Sequence, residues 1–172
     1  MDAIAPRCPS RRRPHFGRDS GSALRDRQSL SWYLDASVMI PILVKEPASA
    51  AVDAFMSSVQ QEPWVSDFAA AEVASALSRL VRTGRLEASV GAASLSDFDV
   101  WRAAMTRPAE MYAADIRLDG VFVRRFDLAL RVPDALHLAI ARRLDVALVT
   151  LDRRLATAAG ELGVAAEMPK MT

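Results

Sequence analysis

The part of the chain that most constrains its fold is residues 132–155, VPDALHLAIARRLDVALVTLDRRL. Pro133 suits the first turn of a helix, where its missing N–H group costs no hydrogen bond. The helix that follows has few polar positions, so we expect it to be mostly buried. Residues 146–151 carry no charge, a pattern typical of a strand covered on both faces. Asp134 therefore begins a buried helix, and Asp152 ends a buried strand.

Two further acidic residues occur in similar settings. Residues 30–34 predict a first strand that ends at Asp35, and residues 68–81 predict a helix that carries Glu72 at the edge of its apolar stripe. In open parallel sheets, ligands bind beyond the carboxyl ends of the strands. We therefore expect a common functional edge for four acids, Asp35, Glu72, Asp134 and Asp152.

The rest of the pattern alternates short strands with helices. We predict strands at 63–65, 110–114 and 164–166, and helices at 36–44, 48–56, 89–105, 118–130 and 153–162. Pro41 removes a hydrogen bond one turn into its helix, so a distorted or 3₁₀ turn is expected there. This alternation predicts an α/β fold with a mainly parallel central sheet and helices on both faces. At 172 residues, the chain fits a single domain.

Charge is distributed unevenly along the chain. Residues 1–28 contain seven arginines and three aspartates, a net charge of +4, whereas the remainder carries 15 basic and 18 acidic residues, a net charge of −3. The first segment is arginine-rich and shows no apolar periodicity, so we predict a disordered extension over 1–28 and a folded domain over 29–168. A nearly neutral domain is not a strong sequence-independent binder of nucleic acid. Contacts with such a ligand would have to come from local arginines.

The cysteine and hydropathy patterns bear on location. The chain has one cysteine, which rules out an intramolecular disulfide. No apolar run approaches the roughly 20 residues needed to span a membrane. We predict a cytoplasmic protein without membrane contact.

Four sequence blocks resemble the signature blocks of the PIN-domain nucleases, and most closely those of the VapC-type toxins of bacterial toxin–antitoxin pairs. Each block contains one of the four acids, and the blocks follow the family order: YLDAS at 33–37, SDFAAAEVASAL at 66–77, PDALHLA at 133–139 and LVTLDRRL at 148–155. The resemblance implies a PIN-like fold in which these acids form a magnesium-binding catalytic site that hydrolyses RNA. Ser37 and Thr150 match positions where the family often has a hydroxyl near the metal. The resemblance further implies a small antitoxin protein as partner, and a homodimer.

The residue types suit this chemistry. Two carboxylates about 4 Å apart repel by roughly 4 kcal/mol at an effective dielectric constant of about 20, so a cluster of four calls for a compensating cation. Oxygen ligands select Mg²⁺ or Mn²⁺ over zinc, and the chain has only two histidines. One ion or two would satisfy this pattern.

Several alternatives stay open at this point. Asp134 and Asp152 both precede helices, where a carboxylate also serves as a cap. His137 could orient Asp134 or act as a general base, but it is interpreted as a structural histidine. The extra acids Asp67, Asp115, Asp119 and Asp127 are interpreted as caps or solvated positions. A haloacid-dehalogenase-like phosphatase is excluded because Ser37 stands where its second aspartate is required. A PIN nuclease for RNA processing or for DNA, without an antitoxin, and a non-catalytic PIN-like module remain as alternative functions.

Overall fold

The computed structural model describes residues 31–171, which form one parallel sheet flanked by helices. The strands are β1 (Trp32–Leu34), β2 (Trp64–Ser66), β3 (Arg107–Ala109), β4 (Ala147–Val149) and β5 (Ala166–Glu167). They lie in the order β3-β2-β1-β4-β5, and every pairing is parallel. The predicted fold class is confirmed. The predicted extension over residues 1–28 lies outside the described residues.

Helices cover both faces of this sheet. They are α1 (Ala36–Leu43), α2 (Ser49–Ser58), α3 (Asp67–Arg82), α4 (Ala88–Met105), α5 (Ala113–Phe122), α6 (Val132–Leu144) and α7 (Arg153–Glu161). Successive strand residues point to opposite faces. Accordingly, Leu34 and Val149 pack with α1 to α4 in one buried cluster, and Tyr33 and Leu148 pack with α5 to α7 in the other. Among the helices described, none is long and apolar enough to cross a bilayer.

The strand order places a switch point at the centre of the sheet. On one side of β1 lie β2 and β3, which follow it in the chain, and on its other side lie β4 and β5, which come last. The backbone N–H of Asp35 donates to the carbonyl of Val149 at 3.1 Å, so the ends of β1 and β4 lie side by side. A crevice opens at the carboxyl edge of such a sheet because the connections on either side lead to opposite faces.

Two predicted elements are displaced in the structure. The third strand is Arg107–Ala109 rather than 110–114, and it lies at the sheet edge, where a strand tolerates Pro108. The helix predicted over 118–130 instead begins at Ala113 and ends at Phe122, and a 3₁₀ turn follows at Phe126–Leu128. The carboxylate of Asp115 accepts the N–H of Tyr112 at 2.8 Å, which fixes this earlier start.

The proline in the first helix is accommodated without the predicted distortion. Pro41 lies inside α1, which is α-helical from Ala36 to Leu43. Proline leaves one helical carbonyl without its donor. The carbonyl of Pro41 itself accepts a hydrogen bond from the hydroxyl of Ser49 at 2.8 Å. This contact connects the end of α1 to α2.

Candidate active site

A cleft of about 350 Å³ opens at the carboxyl edge of the sheet, beside the switch point. All four predicted acids line this cleft, although they come from four separate segments of the chain. Its other walls are residues of α1, α3 and α7: Ala36, Ser37, Ile40, Ser75, Ala76, Arg79, Arg82 and Leu155. The structure thus brings together the four acids that the sequence analysis selected.

Asp35 is fixed by two hydroxyl groups, one from the first turn of α1 and one from the end of β4. It is 7% exposed, and its Oδ2 accepts hydrogen bonds from the Thr150 hydroxyl at 2.6 Å and the Ser37 hydroxyl at 2.7 Å. The backbone N–H of Ser37 donates to Oδ1 at 3.2 Å, which makes Asp35 the N-cap of α1. The two hydroxyls are held in turn by backbone N–H groups, Leu151 to Ser37 and Asp152 to Thr150, both at 3.0 Å. The Asp35 carboxylate is therefore rigidly oriented.

Glu72 is oriented by a buried histidine. Its Oε2 lies 2.6 Å from Nε2 of His137, a side chain of α6 that is only 2% exposed. On the other side of the ring, Nδ1 lies 2.9 Å from the Tyr33 hydroxyl, which lies 2.8 Å from the hydroxyl of Ser66. Ser66 caps α3 by accepting the N–H of Ala69 at 3.0 Å. This hydrogen-bond chain therefore begins at Glu72 and ends at Ala69, two residues of α3 that are about one turn apart.

The directions of these hydrogen bonds follow from donor and acceptor requirements. An ionised Glu72 can only accept, so Nε2 of His137 carries the proton. With a neutral ring, Nδ1 accepts from Tyr33, and the Tyr33 oxygen accepts from Ser66. Every donor then has an acceptor, so the network favours the Nε2–H tautomer. Burial raises the pKa of the Tyr33 hydroxyl, which keeps this group a donor.

The remaining two acids are held by backbone groups at helix starts. Asp134 accepts the N–H of Arg131 through Oδ2 at 3.2 Å. Asp152 is the N-cap of α7 and accepts the N–H groups of Arg154 and Leu155 through Oδ1 at 2.8 and 3.2 Å. The capping alternative is therefore correct as a description of these contacts. Each carboxylate uses only one oxygen for capping. The second oxygen of each can therefore serve as a ligand for a cation in the cleft.

The donor set fits a divalent cation. One ligand atom each from Asp35, Glu72 and His137 lie within 4.8 Å of one another, and Nε2 of His137 is 3.6 Å from Oδ1 of Asp35. Because the ring donates its Nε2 proton to Glu72, the ligands offered to the cleft are carboxylate oxygens. Asp134 and Asp152 line the same cleft but lie outside this closely spaced group, in which Asp35 is buried and Glu72 is partly exposed. Carboxylate oxygens are the ligands that hard divalent cations prefer.

His137 is the residue of this site that the sequence analysis undervalued. The prediction of a structural histidine is confirmed as far as its burial and its satisfied ring nitrogens are concerned. Its contact with Glu72, 65 residues away in the sequence, was not predicted. The only signal in the sequence was the position of His137 one helical turn after Asp134, on a helix that is otherwise apolar.

Together, the fold and the site define a class of protein. A parallel α/β domain with converging carboxylates beyond the ends of its central strands is a candidate for cation-dependent chemistry on a phosphate ester. Comparison with known proteins makes this class specific. The family model of the PIN domain matches residues 32–161, and the chain belongs to the PIN-domain family.

Individual relatives agree with this assignment. The chain is 33% identical over 141 residues to ribonuclease VapC46 of Mycobacterium tuberculosis (strain ATCC 25618 / H37Rv), a match that covers 80% of this chain and 96% of that protein. The fold is similar to that of Mycobacterium tuberculosis VapC20, a Sarcin-Ricin loop cleaving toxin, with a TM-score of 0.61 and 15% identity over 74% of this chain and 95% of that one. It is also similar to a chain of a toxin–antitoxin complex from Klebsiella pneumoniae, with a TM-score of 0.59 and 13% identity over 83% of this chain and 99% of that one.

Proposed function

We propose that the protein is a metal-dependent endoribonuclease and the toxin of a toxin–antitoxin pair. The observation that carries this proposal is the convergence of Asp35, Glu72, Asp134 and Asp152 on one cleft at the switch point of a PIN fold. The similarity to a ribonuclease along most of the chain supports RNA as the substrate. A non-catalytic binding module has no need of four acids in one cleft.

The four carboxylates would hold Mg²⁺, with Mn²⁺ as a substitute, and orient it for the reaction. When bound, the cation supplies Lewis-acid chemistry, activating water and stabilising the negative charge that develops on the phosphate. The chain itself presents Asp35 and Glu72 in fixed orientations, through the hydroxyls of Ser37 and Thr150 and through His137. This preorganisation lowers the cost of assembling the site when substrate arrives.

Cleavage of a labelled RNA by the purified full-length protein tests the activity. We expect cleavage in Mg²⁺ or Mn²⁺, none in EDTA, and recovery when the cation is added back. As a control, the Asp99→Asn variant changes an exposed acid of α4 away from the cleft. This variant should cleave at the wild-type rate. Full activity of the wild type in EDTA contradicts the proposed site, and so does a loss of activity in the Asp99→Asn variant.

The toxin assignment requires an antitoxin. We propose that a small protein encoded beside this chain occludes the cleft and that the toxin is a homodimer. Expression of the chain alone should arrest bacterial growth, co-expression of the small partner should restore it, and size-exclusion chromatography with light scattering should report the dimer. Normal growth with soluble protein that cleaves RNA in vitro would favour the alternative of an RNA-processing nuclease without an antitoxin.

The folded unit is proposed to span residues 29–168, with residues 1–28 dispensable for the reaction. Deletion of residues 1–28 should leave the melting temperature and the cleavage rate nearly unchanged, because no apolar periodicity precedes residue 30. A lower melting temperature would show that the extension packs on the domain. A loss of RNA affinity that is greater at low salt would show that its arginines bind phosphate.

A further inference from the structure

The acid-lined cleft has arginines on both of its sides, and the proposed function does not use them. On one side, Arg79 and Arg82 of α3 line the cleft together with the acids. On the other side, a smaller cavity of about 100 Å³ is lined by Arg131 and Arg154, among other residues. The two cavities share Asp134, Asp152 and Leu155, so they adjoin at two of the four carboxylates, and together they are called the groove.

The two arginines of α3 are available for a ligand. Within the part of the chain that the structure describes, the side chains of Arg79 and Arg82 form no ion pair or hydrogen bond. Other arginines do have acidic partners: Arg102 with Asp67, Arg125 with Asp127 and Arg143 with Asp115. Both free side chains are exposed, and they lie next to carboxylates without pairing with them.

The spacing along α3 sets the reach of this side of the groove. Glu72, Arg79 and Arg82 all line the cleft, although ten residues separate the first from the last. At a rise of about 1.5 Å per residue, Arg82 lies roughly 15 Å along the helix axis from Glu72. A ligand with several phosphates along a chain matches this spacing.

The second side of the groove is formed by α7 and the segment before α6. Arg131 directly precedes α6, and its N–H donates to Asp134. Arg154 lies in the first turn of α7, and its guanidinium donates to the Ala129 carbonyl at 3.2 Å. This contact connects α7 to the loop that precedes α6. Both side chains are exposed beside Asp134 and Asp152.

We propose that a single-stranded RNA crosses the groove, with Arg79 and Arg82 binding phosphates on one side of the cleaved bond and Arg131 and Arg154 binding phosphates on the other. This inference rests on the proposed function and adds the path of the substrate to it. Because the domain is nearly neutral, phosphate contacts have to come from local arginines such as these. The acids between them repel an RNA backbone until a cation is present, so the arginines hold the strand while the cation compensates the acids.

Salt-dependent RNA binding tests the path. The full-length chain with Glu72→Gln, in Mg²⁺, is titrated with fluorescein-labelled oligouridylates of increasing length, and anisotropy is read at several salt concentrations. The pair Arg79→Gln/Arg82→Gln should weaken binding by about tenfold, and its salt slope should fall by about 1.4, since each single-strand phosphate contact contributes about 0.7. The pair Arg131→Gln/Arg154→Gln should do the same, and each pair should shorten the RNA length at which affinity stops rising.

Two controls separate local contacts from general charge and from folding. Arg117→Gln/Arg124→Gln removes the same charge from exposed positions that line neither cavity, and it should leave affinity and slope unchanged. Arg79→Lys/Arg82→Lys should keep most of the slope, since lysine retains the charge. An equal loss in the Arg117/Arg124 variant, or an unchanged slope in both groove variants, overturns the path.

The same experiment distinguishes this inference from the proposed function. If the protein without the Glu72 substitution fails to cleave RNA in Mg²⁺ or Mn²⁺ while the groove variants still lose phosphate contacts, the groove stands and the nuclease proposal fails. If that protein cleaves RNA and the groove variants bind like the parent, the nuclease proposal stands and the path is wrong. Loss of binding to a protein partner with an unchanged RNA slope also counts against the path.

Discussion

Two pairs of carboxylates meet in the cleft, and they are held in different ways. Asp35 and Glu72, the inner acids, each have a partner from a distant part of the sequence, Thr150 and His137, and Asp35 also accepts from the neighbouring Ser37. Asp134 and Asp152, the outer acids, are oriented by backbone N–H groups within three residues of themselves. Asp35 is buried, and Glu72 and Asp134 are partly exposed, whereas Asp152 is exposed.

This difference separates what the tertiary structure provides from what local sequence provides. The inner acids are fully oriented only when β4 and α6 have packed into the fold, because their distant partners lie at the end of β4 and on α6. The outer acids receive theirs as soon as α6 and α7 begin. We therefore expect substitutions around the inner acids to affect activity most, and substitutions at the outer acids to separate capping from cation binding.

The largest effect is expected for Glu72→Gln. Glutamine can still accept the hydrogen bond from His137, so the fold should be preserved while the ligand charge is lost. RNA cleavage should fall by at least about a hundredfold, as expected when a group at the reacting centre is lost or misplaced. Cleavage assays with melting curves check this, and a near-normal rate in a folded variant would remove Glu72 from the site.

An intermediate effect is expected for Tyr33→Phe, which removes the hydroxyl between Ser66 and His137. Groups that orient a metal ligand typically contribute about 10–100-fold to metal affinity or activity. We expect about a tenfold loss of Mn²⁺ affinity by titration calorimetry, and a loss of about 1–2 kcal/mol in the free energy of unfolding from the buried partners left unpaired.

Tyr112→Phe is the matched control for this change. Its hydroxyl donates to Glu110 at 2.6 Å on the surface and contacts no acid of the cleft. It should leave Mn²⁺ affinity unchanged. A Tyr33→Phe variant that loses stability but keeps full Mn²⁺ affinity would show that the hydrogen bonds from Ser66 through Tyr33 to His137 serve only to stabilise the fold.

The smallest effect is expected at Asp152 in the absence of a cation. Asparagine caps a helix about as well as aspartate, whereas alanine at an N-cap costs about 1 kcal/mol. In EDTA, Asp152→Asn should therefore melt close to wild type and Asp152→Ala should melt lower. Both variants should lose part of the stabilisation that Mg²⁺ gives to the wild type. Full Mg²⁺ stabilisation in the asparagine variant would make Asp152 a cap and nothing more.

The sequence predicts the fold class and the four acids because both depend on local patterns. The uncharged run that ends at Leu151 and the proline before Asp134 are local signals, since each lies directly beside the acid that it marks. The predicted strand 110–114 lies after the observed edge strand Arg107–Ala109, because the residues of that strand are mostly exposed and lack apolar alternation. The orientation of Glu72 could not be predicted, since it depends on contacts with His137 and Tyr33 across the core.

The acids of α5 were partly misinterpreted for the same reason. Asp115 does cap its helix, but it is also buried and paired with Arg143 at 2.7 Å. The interpretation of Asp119 as a cap or solvated position is wrong, because it is 3% exposed in the middle of α5. Burial raises the pKa of Asp119, and no hydrogen bond to its Oδ1 is found among the described residues. A single sequence gives no sign that a helix would bury a carboxylate in this way.

The helix starts that surround the cleft also change its electrostatics. Asp35 caps α1, Asp134 lies in the first turn of α6, and Asp152 caps α7, so three helices direct their N-termini toward the acids. Each N-terminus carries the equivalent of about half a positive charge. An acid beside such an end is typically stabilised by about 0.3–1 kcal/mol, so these dipoles offset part of the mutual repulsion of the carboxylates. The backbone thus supplies part of the compensating charge at the place where a cation would supply the rest.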